Sequence, residues 1–203
     1  MSGIQIIIGL DLGQQDDYTV VSVIQIIETP VGSDIYKYKL IFLYKFQLKE
    51  TYTSIVLWVA DFIKTTFDPN AYILVVDYGG PGRPVVDLLE EHELNLIALT
   101  TTGGLEANWR NGNRITVPKR ELITSLEVVF QSQKLSIHKD IMHLKDLEKE
   151  ILNFEGKPKA NNSVKFEAAY KHHDDIIMSL SMAIWYAESI IKRGHRLVIM
   201  SGS

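Results

Sequence analysis

The sequence contains no cysteine, which excludes disulfides, thiolate metal centres and cysteine nucleophiles. It has no run of the ~18 consecutive apolar residues that a membrane-spanning helix requires, so no membrane is expected among its partners. No charged stretch followed by an apolar core opens the chain, and no secretory signal is expected. Internal repeats and low-complexity tracts are missing, which argues against solenoids and disordered arrays. No G-x-x-x-x-G-K-[ST] loop occurs in the 203 residues, so the phosphate-cradling element of P-loop nucleotide-binding proteins is absent from them. An excess of basic charge is lacking as well. With 21 Lys and Arg against 25 Asp and Glu, the net charge of -4 argues against a surface that binds nucleic acid all round.

The residues that are present describe one ordinary globular unit. Hydrophobic residues make up 46% and charged ones 23% of the chain, and this length supports one sizeable core. We therefore expect a single domain across residues 1–203, its core running from about 4 to 192.

Near the start stands "IQIIIGLDLGQQDDYTVVSVIQI". An apolar run leads through Gly9 and Leu10 into a single acid, Asp11, and a second apolar run follows. Burying an ionised carboxylate without a partner costs several kcal/mol, so Asp11 needs a donor, a cation or a metal. Residues 5–11, 19–27 and 36–46 read as three strands of an antiparallel meander. Helical spacing through Ile55, Val59, Phe62 and Ile63 predicts a helix over 51–67, capped by Thr51 or Thr53. Then "AYILVVD", "RPVVDLLEE" with Pro84 in its first turn, and "LNLIALT" read as strand, helix and strand, the signature of a parallel crossover. A helix from Pro118, an edge strand "KLSIH", a helix "IMHLKDLEKEILNF", a strand or hairpin piece "SVKFEA" and a final helix over 173–192 complete the expected order, with 155–163 as a mobile loop. The fold class expected is α/β.

Two of these strands end on an acid, Asp11 and Asp77, and a third acidic position, Asp174 and Asp175 in "HHDD", opens the last helix. Each has an ordinary explanation, since Asp is a common helix cap and turn former. In a parallel pair, however, residues at one carboxyl edge converge on the crevice where open α/β sheets keep their sites. Clustered carboxylates repel unless they are protonated, paired or bound to a cation. Oxygen donors without thiolates favour Mg²⁺ or Mn²⁺, and two such ions roughly 4 Å apart serve phosphodiester hydrolysis. From Asp175 the i+4 and i+8 positions are Ser179 and Ala183, small enough to let the helix lie close against the sheet; from Asp174 they are Met178 and Met182. Asp175 is therefore expected as the ligand and Asp174 as cap or second ligand.

Two segments carry local basic charge. Residues 107–120 hold Arg110, Arg114, Lys119 and Arg120 with no acid, and residues 156–173 hold Lys157, Lys159, Lys165 and Lys171 against Glu167. Both read as loop-rich patches, either solvated surface or holders of a DNA backbone. Asp17 reads as a turn-stabilising acid rather than a ligand, His172 and His173 as structural, and Trp58, Trp109 and Trp185 as packing residues, with Trp109 close enough to basic residues to approach DNA.

The ordered set "GLDLG…DDYT", "VVDYGGPGRPVVDLL", "VPKRELITSLEVVFQSQKLSI" and "HHDDIIMSLSMA" resembles the C-terminal nuclease domain of the large terminase subunit of tailed bacteriophages and herpesviruses over residues 4–190. The resemblance implies a ribonuclease H-like central mixed sheet flanked by helices. It implies an endonuclease that cuts concatemeric viral double-stranded DNA during genome packaging in the host cell cytoplasm. Carried over by position, its metal ligands fall on Asp11, Asp77, Asp174 and Asp175, holding two ions of Mg²⁺ or Mn²⁺. Its partners would be DNA and, in a parent protein, a packaging ATPase domain, the small terminase subunit and the portal. Alternatives are a junction resolvase or other ribonuclease H-like nuclease, an ATP-binding domain of the actin and sugar-kinase type suggested by "GLDLG", or a non-catalytic DNA-holding module.

Overall fold

The computed structural model describes residues 4–13, 16–28, 36–80, 82–110, 112–158, 164–168 and 174–192. Its centre is an eight-stranded mixed sheet in the order β6-β7-β5-β4-β1-β2-β3-β8, beside a separate two-stranded sheet of β9 and β10. The strand β1 (Ile6–Asp11) pairs antiparallel with β2 (Val20–Glu28), and β2 with β3 (Tyr36–Lys45), which is the expected meander. After α1 (Tyr52–Thr66) the chain re-enters as β4 (Tyr72–Asp77), parallel to β1. The crossover through α2 (Gly82–Glu91) then sets β5 (Leu96–Thr102) parallel to β4.

Both faces of the sheet are covered, which is why β1 reads as a continuous apolar run rather than as an alternation. Ile6, Ile8 and Leu10 pack with α1 and α2 on one side, whereas Ile7 belongs to the core beneath α3 (Lys119–Gln131) and α5 (Asp175–Lys192). The period-two alternation of a strand therefore sends Gly9 and Asp11 toward the α5 side, together with Ile7. The start of α1 is fixed by its cap, because Thr51 Oγ1 accepts a hydrogen bond from the Ser54 amide at 3.2 Å.

Two expectations fail here. Residues 108–109 and 114–118, in a segment expected to be loop-rich, are strand. They form β6 (Asn108–Trp109) and β7 (Arg114–Pro118), an antiparallel pair that extends the sheet beyond β5. The apolar alternation of Ile115 and Val117 is only two residues deep and is interrupted by polar neighbours, too short a pattern to separate from a turn-rich loop. The strand or hairpin piece expected at "SVKFEA" is β10 (Val164–Ala168), but its antiparallel partner β9 (Phe154–Pro158) falls where a loop was expected, so the basic segment at 156–173 includes a hairpin. Of the loop expected over 155–163, residues 155–158 thus belong to β9, and 159–163 lie outside the described residues. The remaining elements are β8 (Leu135–Ile137), an edge strand parallel to β3, and α4 (Leu144–Asn153). Among the described residues no helix is long and apolar enough to cross a membrane.

Candidate metal centre

The parallel register of β1 and β4 pairs Gly9 with Val75 and Leu10 with Val76. Asp11 and Asp77 each lie two residues beyond the Gly9–Val75 pair, on the same face and at the same carboxyl edge. The first turn of α5 comes down on that face. One open cavity is lined by Asp11, Asp17, Asp77, Lys119, Asp174 and Asp175, with Thr101 at the end of β5.

Individual side chains are held in distinct ways. Asp77 Oδ1 accepts the Gly79 amide at 2.9 Å in the turn that leads into α2. That turn must be tight, because a side-chain carbon on Gly82 would come within 2.0 Å of the Asp77 carbonyl oxygen. Asp175 is only 5% exposed, and its Oδ2 accepts the Tyr18 amide at 3.1 Å from the start of the β2 approach. Asp174 Oδ2 is paired with Lys119 Nζ at 2.8 Å. Lys119 is the first residue of α3, so the β7–α3 junction is what delivers this cation to the cavity.

The charge balance strains the acids. Asp11 has its pKa raised well above the ordinary range, first by burial and then by the negative charges of Asp77, Asp175 and Asp174, with Lys119 pulling the other way. Asp77 is also raised, chiefly by burial, against the Gly79 amide and Lys119. A cluster in which desolvation and mutual repulsion outweigh the single lysine gains from a divalent cation. Its donors are carboxylate oxygens, the set that suits a hard ion such as Mg²⁺ or Mn²⁺. Among the described residues, no three of these side chains yet converge closely enough to enclose an ion. The chemistry of the donor set fits a divalent metal, and the carboxylates of Asp11, Asp77, Asp174 and Asp175 line one cavity.

Of the residues expected at the site, Asp11, Asp77, Asp174, Asp175 and Lys119 are brought together. Asp17, expected as a turn acid, lines the same cavity. Its position in a polar interval between two strands resembles that of any turn residue, and only the fold brings it to the carboxyl edge. Arg114 lies elsewhere. It is level with Ala98 on β5, on the α2 side of the sheet, where it pairs with Glu90 at 3.4 Å and covers the Tyr78 ring at 4.4 Å. Arg110 is exposed on the β6–β7 hairpin, and Arg120 is exposed beside Lys119. Lys157 and Lys165 fall in β9 and β10, and their side chains lie outside the described residues, as do Lys159, Lys171, His172 and His173 entirely. Trp109 stacks on Trp185 at 6.0 Å between ring centroids and serves packing.

A residue that the sequence did not single out holds the first turn of α5. Glu150 of α4 is 7% exposed, and its Oε2 accepts the amides of Ile176 and Ile177 at 2.9 and 3.1 Å. Burial pushes its pKa up to about 8, helped by Asp175 and opposed by the two amides and Lys45.

No family model and no curated protein matches this chain. Solved structures match it over most of its length. The large terminase nuclease from thermophilic phage G20c with bound magnesium aligns at a TM-score of 0.60 and 20% identity, covering 89% of this chain and 80% of that one. The large terminase nuclease domain from bacteriophage SPP1 with bound Mn aligns at 0.57 and 13%, over 90% of this chain and 86% of that one. The large terminase of a further thermophilic bacteriophage aligns at 0.63 and 10%, over 91% of this chain but 40% of its own length. At such identities the likeness is one of architecture: this chain has the ribonuclease H-like fold of the large terminase nuclease domains, a central mixed sheet flanked by helices.

Proposed function

We propose that this domain is a metal-dependent endodeoxyribonuclease that cuts concatemeric viral double-stranded DNA during genome packaging. The observation that carries the reading is the register of β1 and β4, which sets Asp11 beside Asp77 at one sheet edge, across from the nearly buried Asp175. The G20c and SPP1 structures carry magnesium and manganese, the same class of ion that this donor set suits. Asp11, Asp77, Asp175 and Asp174 would hold two such ions, with Asp17 at the cavity wall. When bound, the ions supply an activated water and charge stabilisation for the leaving oxygen of a phosphodiester.

The chain's own residues do the rest. Asp11, at the end of β1, would draw a cation to the sheet edge together with Asp77. Tyr18 and Gly79 donate their amides to Asp175 and Asp77 and so fix the direction of each carboxylate. Lys119 screens Asp174 and places an ammonium at the cavity, where a phosphate oxygen would arrive. Exposed Arg120 beside it, with Arg110 of the β6–β7 hairpin and the basic segment that holds Lys157 and Lys159, would meet the DNA backbone rather than base edges. Arg114, occupied by Glu90 and Tyr78, is left out of this role. Double-stranded DNA is the proposed substrate. In a parent protein the partners would be a packaging ATPase domain, the small terminase subunit and the portal, acting in the host cell cytoplasm.

Supercoiled plasmid incubated with the protein in EDTA, Mg²⁺ or Mn²⁺, beside an Asp11→Asn variant, tests the proposal. Nicking and linearisation that need metal and vanish in the variant are expected. Equal cleavage by the variant, or none by a folded wild-type protein in either metal, overturns it.

A further inference from the structure

The first amides of a helix have no partner within it, and a side chain just ahead of the helix usually accepts them. In α5 that side chain would be Asp174 or Asp175. Neither is spent this way on the amides of Ile176 and Ile177, because both donate to Glu150 Oε2. Asp174 Oδ2 is taken by Lys119, and Asp175 Oδ2 accepts the Tyr18 amide. The cap of α5 thus comes from the middle of α4, 26 residues back in the chain. Glu150 is 7% exposed, and its other oxygen, Oε1, is buried with no hydrogen-bond partner among the described residues. The interaction is therefore a built feature of the core beneath the helix rather than a surface contact.

We infer that Glu150 is a positioning residue of the metal centre: it caps α5 from behind and so lets Asp174 and Asp175 face the cavity. The inference rests on the metal-centre reading above. Its physical content is a substitution of roles. A helix capped by its own leading aspartate turns that carboxylate back onto its first amides. A helix capped from a neighbouring element does not turn its leading carboxylates back onto its own amides, and here both line the cavity. Removing Glu150 leaves two orphan amides within reach of the carboxylate at Asp174, which then folds back to accept them.

The test compares Glu150→Gln, which keeps an acceptor oxygen at the same reach, with Glu150→Ala and with Glu150→Asp, which withdraws the oxygen by one methylene. Mn²⁺ binding by titration calorimetry and amide hydrogen exchange over the first turn of α5 are the readouts. Outer-shell partners of metal ligands typically contribute 10- to 100-fold in metal affinity, and a loss of at least ~10-fold is expected for Glu150→Ala. Exchange at Ile176 and Ile177 should quicken in the same variant, while Glu150→Gln retains affinity to within ~3-fold. If Glu150→Ala does not fold, Glu150→Asp carries the comparison with the same expected direction. Wild-type Mn²⁺ affinity in the Ala or Asp variant, with a lowered melting temperature, overturns the inference and leaves Glu150 a cap that serves stability alone. Failure of the metal-centre reading is separate: wild-type protein and Asp11→Asn would then bind Mn²⁺ equally or not at all.

Discussion

Ser179 Oγ donates a 2.9 Å hydrogen bond to the carbonyl oxygen of Gly9, at a point where a side-chain carbon on Gly9 would come within 2.0 Å of the Ser179 carbonyl oxygen. The same hydroxyl lies 2.8 Å from Ser22 Oγ on the neighbouring strand. Four helical residues span about 6 Å and two strand residues about 6.6 Å. The contact one turn into α5 and two residues before the end of β1 therefore sets Asp175 and Asp11 at matching heights. A hydrogen bond in the core thus holds α5 against β1 where the two acids line one cavity.

Gly9→Ala should be costly for this reason. Overpacking typically costs about 1–3 kcal/mol, which for a chain of this length lowers the melting temperature by about 2–4 °C per kcal/mol. Lifting α5 from β1 should also abolish metal-dependent cleavage. Gly103→Ala, where an added carbon meets nothing within 4 Å, serves as the control in thermal melts and plasmid assays.

Asp11→Asn should have opposite effects on activity and on stability. Cleavage should fall by at least ~100-fold, as expected when an electrostatic group at the reacting centre is removed. The metal-free variant should nevertheless melt above the wild-type protein, because Asp11 shares one cavity with the charges of Asp77, Asp175 and Asp174 and the amide removes that repulsion. Calorimetry in EDTA measures the second effect.

Stability without metal should fall as the pH rises. Asp11, Asp77 and Glu150 all bind protons more tightly in the folded protein than their ordinary values allow. Raised carboxyl pKa values contribute stability that is full below the unfolded value and is lost as the pH climbs through the folded one. For Glu150, flanked by Asp175 and Lys45, that window extends from the ordinary carboxylate range up to about 8. Melting temperatures in EDTA should therefore be higher near about pH 5.5 than near about pH 8. With Mn²⁺ present the difference should shrink, because the ligands must be ionised to bind.

Lys119→Gln should separate metal binding from DNA binding. The pair with Asp174 is partly exposed, at 36% and 25% for the two side chains, so its loss should cost no more than about 1 kcal/mol of stability. Removing the cation makes the carboxylate cluster more negative, and Mn²⁺ should bind more tightly. DNA should bind more weakly and with a shallower salt dependence, by about one counterion if Lys119 meets a phosphate. Calorimetry and fluorescence anisotropy across a salt series distinguish the two effects.

Some relationships in this centre depend only on local pattern and were legible without coordinates. The run that ends at Asp11, the strand that ends at Asp77 and the crossover between β4 and β5 follow from apolar periodicity and turn chemistry. The small residues at Ser179 and Ala183 marked the side of α5 that faces the sheet, because a close approach of helix and strand leaves no room for larger side chains. The β6–β7 hairpin was not legible, since Asn108–Trp109 is two residues long and its apolar content is shared with the loop around it.

What the sequence determined by itself is the order of the elements and the acids at their ends, because strand and helix periods and their terminating residues are properties of neighbouring positions. Only the tertiary structure decided which cations and caps those acids meet. Lys119 reaches Asp174 across 55 positions, Tyr18 reaches Asp175 across 157, and Glu150 caps α5 across 26. In a linear reading Glu150 is one more polar residue on an amphipathic helix rich in Glu and Lys. The packing of α4 against α5 makes it a cap by bringing its carboxylate to the Ile176 and Ile177 amides, and no local pattern encodes that packing.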